Sequence, residues 1–208
     1  MRNKKKIGIL GGTFNPVHKG HLALAHAAGE QYHLEQVWLM VSKMPPHKEV
    51  AGQISAEQRL YMVSLAVSEK PYDQYMTASD FELKREGYIY TADTLSLLAE
   101  QYPEFEFYFI IGGDSLDYLE QWYHPEIIFS HATILASGRD DFQLQEVEKK
   151  IAQLKQIYEN ADIRPVRMEK IPYSSTQIRK LAAAGEEISA MTGRKVANYI
   201  RKNHIYGA

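Results

Sequence analysis

The chain has 208 residues, 24 basic against 26 acidic side chains, 45% hydrophobic and 24% charged content, and no cysteine. The near balance of charge excludes the global positive field that holds a nucleic-acid backbone. The lack of cysteine excludes disulfides, thiolate nucleophiles and cysteine-based metal sites. The length suits a single domain with a large core.

Arg2 and Lys4 to Lys6 precede an apolar run too short for a signal peptide, and no stretch reaches the length of a membrane span. A cytoplasmic location without membrane association is expected. Ile7-Gly8-Ile9-Leu10 reads as a strand, Gly11-Gly12 as a turn, and the apolar-periodic Leu22 to Ala28 as part of a helix that ends near Tyr32-His33. Glycines at a strand end let the backbone approach a bound group, and the helix N-terminus beyond offers unpaired N–H groups to an anion. His18 and His21 are three apart, so on one first helical turn they share a face and can donate to the same polyphosphate. Neither GxxxxGK[ST] nor GxGxxG occurs, so this is not a P-loop or a dinucleotide fingerprint.

Gln36 to Ser42 is apolar and β-branched enough for a buried strand. Lys43 to Gly52 is a loop, stiffened at Pro45-Pro46, that presents His47 and Lys48. Ser55 three residues before Gln58 is a capping pattern, with Leu60, Val63, Leu65 and Val67 continuing the helix. A strand is expected over Tyr75 to Ala78, and a helix from Thr91 that closes at Pro103. Phe105 to Ile111 is a central strand ending in Gly112-Gly113-Asp114, followed by a helix over Leu116 to Trp122 and a strand over Ala132 to Ala136. The last third is helix-rich: Leu144 to Tyr158, Ser175 to Ala184 and Arg194 to Asn203, with a strand over Asp162 to Met168.

Alternating strands and helices predict an α/β, Rossmann-like, doubly wound parallel sheet with helices on both faces and a helical C-terminal part. No repeat or linker divides it, so one domain over 1–208 is expected. In such folds ligands bind beyond the carboxyl ends of the strands, where Gly11-Gly12 and Gly112-Gly113 fall. Ser174-Ser175-Thr176 opens a helix with Arg179 one turn on, a second anion site or a simple N-cap. Asp114 suits a ribose hydroxyl, a hydrated Mg²⁺ or a helix cap. Trp122 suits the core or a stacking platform for a flat cationic ring. The amides following Tyr90-Thr91 suit a carboxylate, and a plain threonine cap is the simpler alternative.

Five blocks together resemble the nucleotidyltransferases with a His-x-Gly-His signature, and within them the bacterial nicotinate-nucleotide adenylyltransferases. Gly11 to Leu22 resembles GGTFDPxHxGHL, Pro45 to Lys48 PPHK, Ser79 to Leu95 the segment ending in SYTxDTL, Ile110 to Trp122 IGxDSLxxLxxW, and Ser174 to Arg179 SSTxIR. The departures are Asn15 where aspartate is frequent, Val41 where proline is usual, Tyr173 where isoleucine precedes SST, and Gly193 where proline often starts the last helix.

The resemblance implies adenylyl transfer from ATP, with Mg²⁺, to nicotinate mononucleotide. His18, His21, Lys48 and Arg179 would be catalytic. Gly11, Gly12, Thr13, Phe14, Ser175, Thr176, Gly112 and Asp114 would hold ATP and its phosphates, and Tyr90, Thr91 and Trp122 the mononucleotide. No residue would be a dedicated metal ligand, and a homo-oligomer is compatible with the sequence. Adenylyl transfer to 4′-phosphopantetheine or nicotinamide mononucleotide, and a non-catalytic nucleotide sensor, are the alternatives.

Overall fold

The computed structural model describes residues 4–43, 54–138, 141–169 and 171–208. In chain order it runs β1 (Lys5–Gly12), α1 (Lys19–Tyr32), β2 (Gln36–Val41), α2 (Ala56–Val67), β3 (Met76–Ser79), α3 (Thr91–Gln101), β4 (Phe105–Gly112), α4 (Gly113–Leu116) and α5 (Pro125–His131). β5 (Ala132–Gly138), α6 (Asp141–Ile157), β6 (Ile163–Arg167), α7 (Ser175–Ala183), α8 (Ser189–Thr192) and α9 (Arg194–Lys202) follow.

The strands form a sheet in the order β3-β2-β1-β4-β5-β6. β1 pairs parallel with β4, β4 with β5, and β5 with β6. This is the Rossmann-like order, which reverses at β1 and β4, where such folds bind ligands beyond the strand ends. Among the described residues no helix is long and apolar enough to cross a membrane.

The chain divides into two compact units. The first is Met1–Gly11, Leu24–Trp38 and Ile89–Lys170. β5 is buried along its whole length, as a central parallel strand must be, and α6 packs on β5 and β6. Ile134, Leu135, Leu154 and Ile163 are at most 1% exposed there, each burial contributing about 1.5–3 kcal/mol. β6 is the outer strand of the sheet, and α1 covers its backbone. The Gln31 side chain accepts from Arg167 N at 2.9 Å and donates to Arg167 O at 2.7 Å, and the Tyr32 hydroxyl donates to Pro165 O at 2.6 Å. The helix expected over Leu116 to Trp122 is instead the short α4 and a 3-10 turn at Leu119–Gln121. His124, at φ 50°, then caps α5, with Pro125 in its first turn, where a missing N–H costs nothing.

The second unit is Gly12–Ala23, Leu39–Tyr88 and Ile171–Ala208. α2 packs on β3 and α9, and α7 on the turn at Ile205–Gly207. Ser55 and Gln58 form the expected capping box. The buried stripe of α2 is Arg59, Met62, Val63, Ala66 and Val67, which includes the expected Val63 and Val67 but leaves out Leu60 and Leu65. α9 begins at Gly193, at φ 88°, with the Glu69 carboxylate against it accepting from Lys195 N at 3.0 Å. A carboxylate there offsets the positive end of the helix.

Candidate functional site

In the second unit, the turn leaving β1 is wound tightly. Phe14 has φ 49° and is buried, as are Asn15, Val17 and His18. α1 starts at Lys19, ahead of the apolar stripe that begins at Leu22, because the His-x-Gly-His segment itself supplies the first turn. His18 therefore sits just before α1, its carbonyl accepting from His21 N at 2.9 Å. Each imidazole caps a backbone N–H of this turn. Gly20 N–H donates to His18 Nδ1 at 3.1 Å, and His18 N–H donates to His21 Nδ1 at 3.2 Å. An Nδ1 that accepts carries no proton, so both rings take the tautomer with the proton on Nε2. The rings stack with centroids 3.7 Å apart and planes at 28°, and Phe14 meets His21 edge-on at 5.0 Å. The intervening glycine keeps room for the ring, because a Cβ on Gly20 would lie a tight 3.0 Å from His18.

Side chains distant in sequence hold the segment before these histidines. Arg59, 1% exposed, donates from Nη1 to Thr13 O at 2.7 Å and to Ser42 O at 3.0 Å. Burial lowers its pKa, though a guanidinium keeps its charge at any physiological pH. Arg179 Nη1 donates to Asn15 O at 2.8 Å, and Ser175 Oγ to Pro16 O at 2.9 Å. The Tyr206 hydroxyl donates to Asn15 Oδ1 at 2.6 Å.

The structure thus brings Thr13, Phe14, His18, His21, Ser175 and Arg179 together on one loop and two helix starts. Ser174 is the cap of α7, accepting from Gln177 N at 3.2 Å. Thr176 Oγ1 accepts from Arg179 Nη2 at 3.3 Å. With the Ser175 proton given to Pro16, what α7 offers an anion is its first-turn backbone amides and the remaining Arg179 donors. Lys48, with Pro45, Pro46 and His47, lies outside the described residues.

In the first unit, Gly11, expected in a turn, is the penultimate residue of β1, Gly112 closes β4, and Asp114 is exposed in α4. A Cβ on Gly113 would lie 2.9 Å from Ser137 O. Trp122 is half-buried, with Phe109 edge-on to it at 6.3 Å. The expected threonine cap of α3 is absent: Tyr90 occupies the cap position and makes no side-chain cap hydrogen bond. The ring of Tyr90 stacks on Tyr123 at 4.3 Å.

Arg59, Tyr206 and the Asn15 side chain take part in holding the candidate site, and sequence reasoning gave none of them a site role. Arg59 had a visible signal, a cation at the head of a helical stripe otherwise made of Met62, Val63, Ala66 and Val67. Tyr206 had none, since nothing in a sequence pairs position 206 with position 15.

These features define a nucleotidyltransferase built on a Rossmann-like sheet, and comparison with known proteins agrees. The cytidylyltransferase-like family model matches residues 9–181. A Lachnoclostridium phytofermentans protein named "Probable nicotinate-nucleotide adenylyltransferase" is 44% identical, the match covering 97% of this chain and 99% of that protein. A Lactiplantibacillus plantarum protein of the same name is 35% identical over 97% of this chain and 88% of its own length. Plasmodium falciparum nicotinic acid mononucleotide adenylyltransferase, solved complexed with APC and with NaAD, shares the fold at TM-scores of 0.76 and 0.78. Each match covers 97% of both chains, at 18% and 19% identity. The chain belongs to the cytidylyltransferase-like family and, within it, to the nicotinate-nucleotide adenylyltransferases.

Proposed function

We propose that the protein transfers the adenylyl group of ATP to nicotinate mononucleotide in the cytoplasm, giving nicotinate adenine dinucleotide and pyrophosphate in NAD biosynthesis, with 1–208 acting as one nucleotidyltransferase domain. The observation that carries this is the capping of backbone N–H groups by Nδ1 of His18 and of His21, which leaves two Nε2–H donors at the start of α1.

The attacking phosphate is a monoester with a second pKa of about 6, so at neutral pH it is mostly dianionic and needs no general base. One of its oxygens attacks the α-phosphorus of ATP in line, and the bond from that phosphorus to the bridging oxygen of the leaving pyrophosphate breaks. The imidazole Nε2–H groups and Arg179, joined by Lys48, stabilise the charge that gathers on the leaving group. Gly11, Gly12, Thr13, Phe14, Gly112 and the first-turn amides of Ser175 and Thr176 hold ATP. Magnesium arrives with ATP as part of the substrate, and Asp114 takes either its water shell or a ribose hydroxyl. Trp122 stacks on the pyridinium ring. The first-turn amides of α3 at Tyr90-Thr91, where the cap residue Tyr90 makes no side-chain hydrogen bond to them, receive the nicotinate carboxylate, and this favours the acid over the amide.

The test is pyrophosphate release from ATP with nicotinate mononucleotide, nicotinamide mononucleotide and 4′-phosphopantetheine in parallel. Nicotinate mononucleotide is expected to give the highest kcat/KM. Release with none of them, alongside ATP binding by calorimetry, would mark a nucleotide sensor instead.

A further inference from the structure

Tyr206 and Asn15 are 191 positions apart in the chain, yet they share a 2.6 Å hydrogen bond. The backbone bends to make it: His204 has φ 51° and Tyr206 φ 65°, left-handed conformations disfavoured for bulky L-residues and informative where they persist. Burial raises the pKa of the Tyr206 hydroxyl above its ordinary value, against the pull of Arg179 and Arg59, so it is a donor throughout the physiological range.

What it holds is distinct from what its neighbours hold. Arg59, Arg179 and Ser175 take backbone carbonyls of Thr13, Asn15 and Pro16, whereas Tyr206 takes a side-chain oxygen of Asn15, which is only 6% exposed. That side chain lies three residues before His18, in the segment that sets where the capped imidazoles aim.

We propose that Tyr206 is a positioning residue for adenylyl transfer, acting through the Asn15 side chain to fix the aim of His18 and His21, an inference that rests on the reaction assigned above. An oxygen acceptor at position 15 is what Tyr206 requires, and asparagine and aspartate both supply one. The catalytic effect is one of geometry, since small misplacements of donors are costly in rate.

The experiment uses the full chain and four variants: Tyr206→Phe, Asn15→Asp, Asn15→Leu, and Tyr206→Phe combined with Asn15→Leu. Steady-state kinetics are measured for both substrates, and the imidazole ¹⁵N signals of His18 and His21 are recorded without substrate. Tyr206→Phe, which removes only the hydroxyl, is expected to lower kcat about five- to tenfold, to leave the KM for the mononucleotide within about twofold, and to shift the imidazole signals. Asn15→Asp should keep kcat within about twofold. The double variant should lose no more than the worse single one, because both break one interaction.

Unchanged kcat and unchanged imidazole signals in Tyr206→Phe would overturn the proposal, as would losses that multiply in the double variant. If the unaltered protein released no pyrophosphate while Tyr206→Phe still shifted the imidazole signals, the assigned reaction would fall and the positioning of the imidazoles would stand.

Discussion

His18 and His21 each spend Nδ1 on a backbone N–H, and this decides what they can do for a phosphate. A ring that moved its proton to Nδ1 would lose its cap, so the capped form presents Nε2–H as a neutral donor. Replacing either with alanine is expected to lower kcat by about 10² or more, the usual effect of losing a preorganised donor. Steady-state kinetics with saturating ATP checks this, and turnover within about threefold of the unaltered protein would return both rings to a capping role. Arg59 belongs to the same scale. Arg59→Met leaves the carbonyls of Thr13 and Ser42 unpaired and is expected to destabilise the fold by about 3 kcal/mol, as measured by urea unfolding. The paired histidines could be found in the sequence because spacing alone puts i and i+3 together. The Nδ1 caps could not, because they depend on His18 standing just before α1, which starts at Lys19.

Among the elements, α9 shows how a departure from the family pattern is accommodated. Gly193 occurs where proline is usual, and its φ of 88° is one that the proline ring, fixed near −65°, cannot adopt. Gly193→Ala is expected to cost about 1–2 kcal/mol and so to lower Tm by about 2–8 °C in a chain of this size, with Gly193→Pro worse. An unchanged melt in both would mean that the start of α9 adapts freely. The same scale holds a pH effect. The Asp162 carboxyl lies below its usual pKa, chiefly because it accepts from Arg164, and also because Thr133 donates to it. A lowered pKa contributes stability above the unfolded value near 4, and that contribution is lost as pH falls through the folded value. Asp162 and Arg164 side chains are 43% and 42% exposed, so the pair contributes no more than about 1 kcal/mol. Asp162→Asn should therefore be measurably less stable than the unaltered protein at pH 7, and the difference should vanish as pH falls through the lowered folded value of Asp162. Strands were the most legible elements, because β4 carries the unbroken run Phe107 to Ile111 and β5 is mostly apolar. α5 and α8 were not, since short helices carry too few turns for a period to show, and His124-Pro125 gives its start only once the left-handed φ is seen.

For the molecule as a whole, the sheet order β3-β2-β1-β4-β5-β6 follows from sequence pattern only as far as fold class. Alternating strands and helices imply parallel crossovers, but which strands become neighbours depends on contacts between residues far apart in the chain. The candidate site divides the same way. Its local parts, the His-x-Gly-His turn and the start of α7, were readable because capping and helix periodicity are short-range. Arg59 and Tyr206 act over 46 and 191 positions and needed the fold.

The Gln31 amide on β6 also bears on how copies of the protein meet. A sheet's outer strand ordinarily offers a row of unanswered N–H and C=O groups to any passing chain. Here the outward groups of Arg167 are already bonded to a glutamine, Pro165 has no N–H to offer, and its carbonyl is bonded to Tyr32. The rim is closed to recruits along that stretch, so a fibril or a dimer zipped through β6 would first have to peel α1 away.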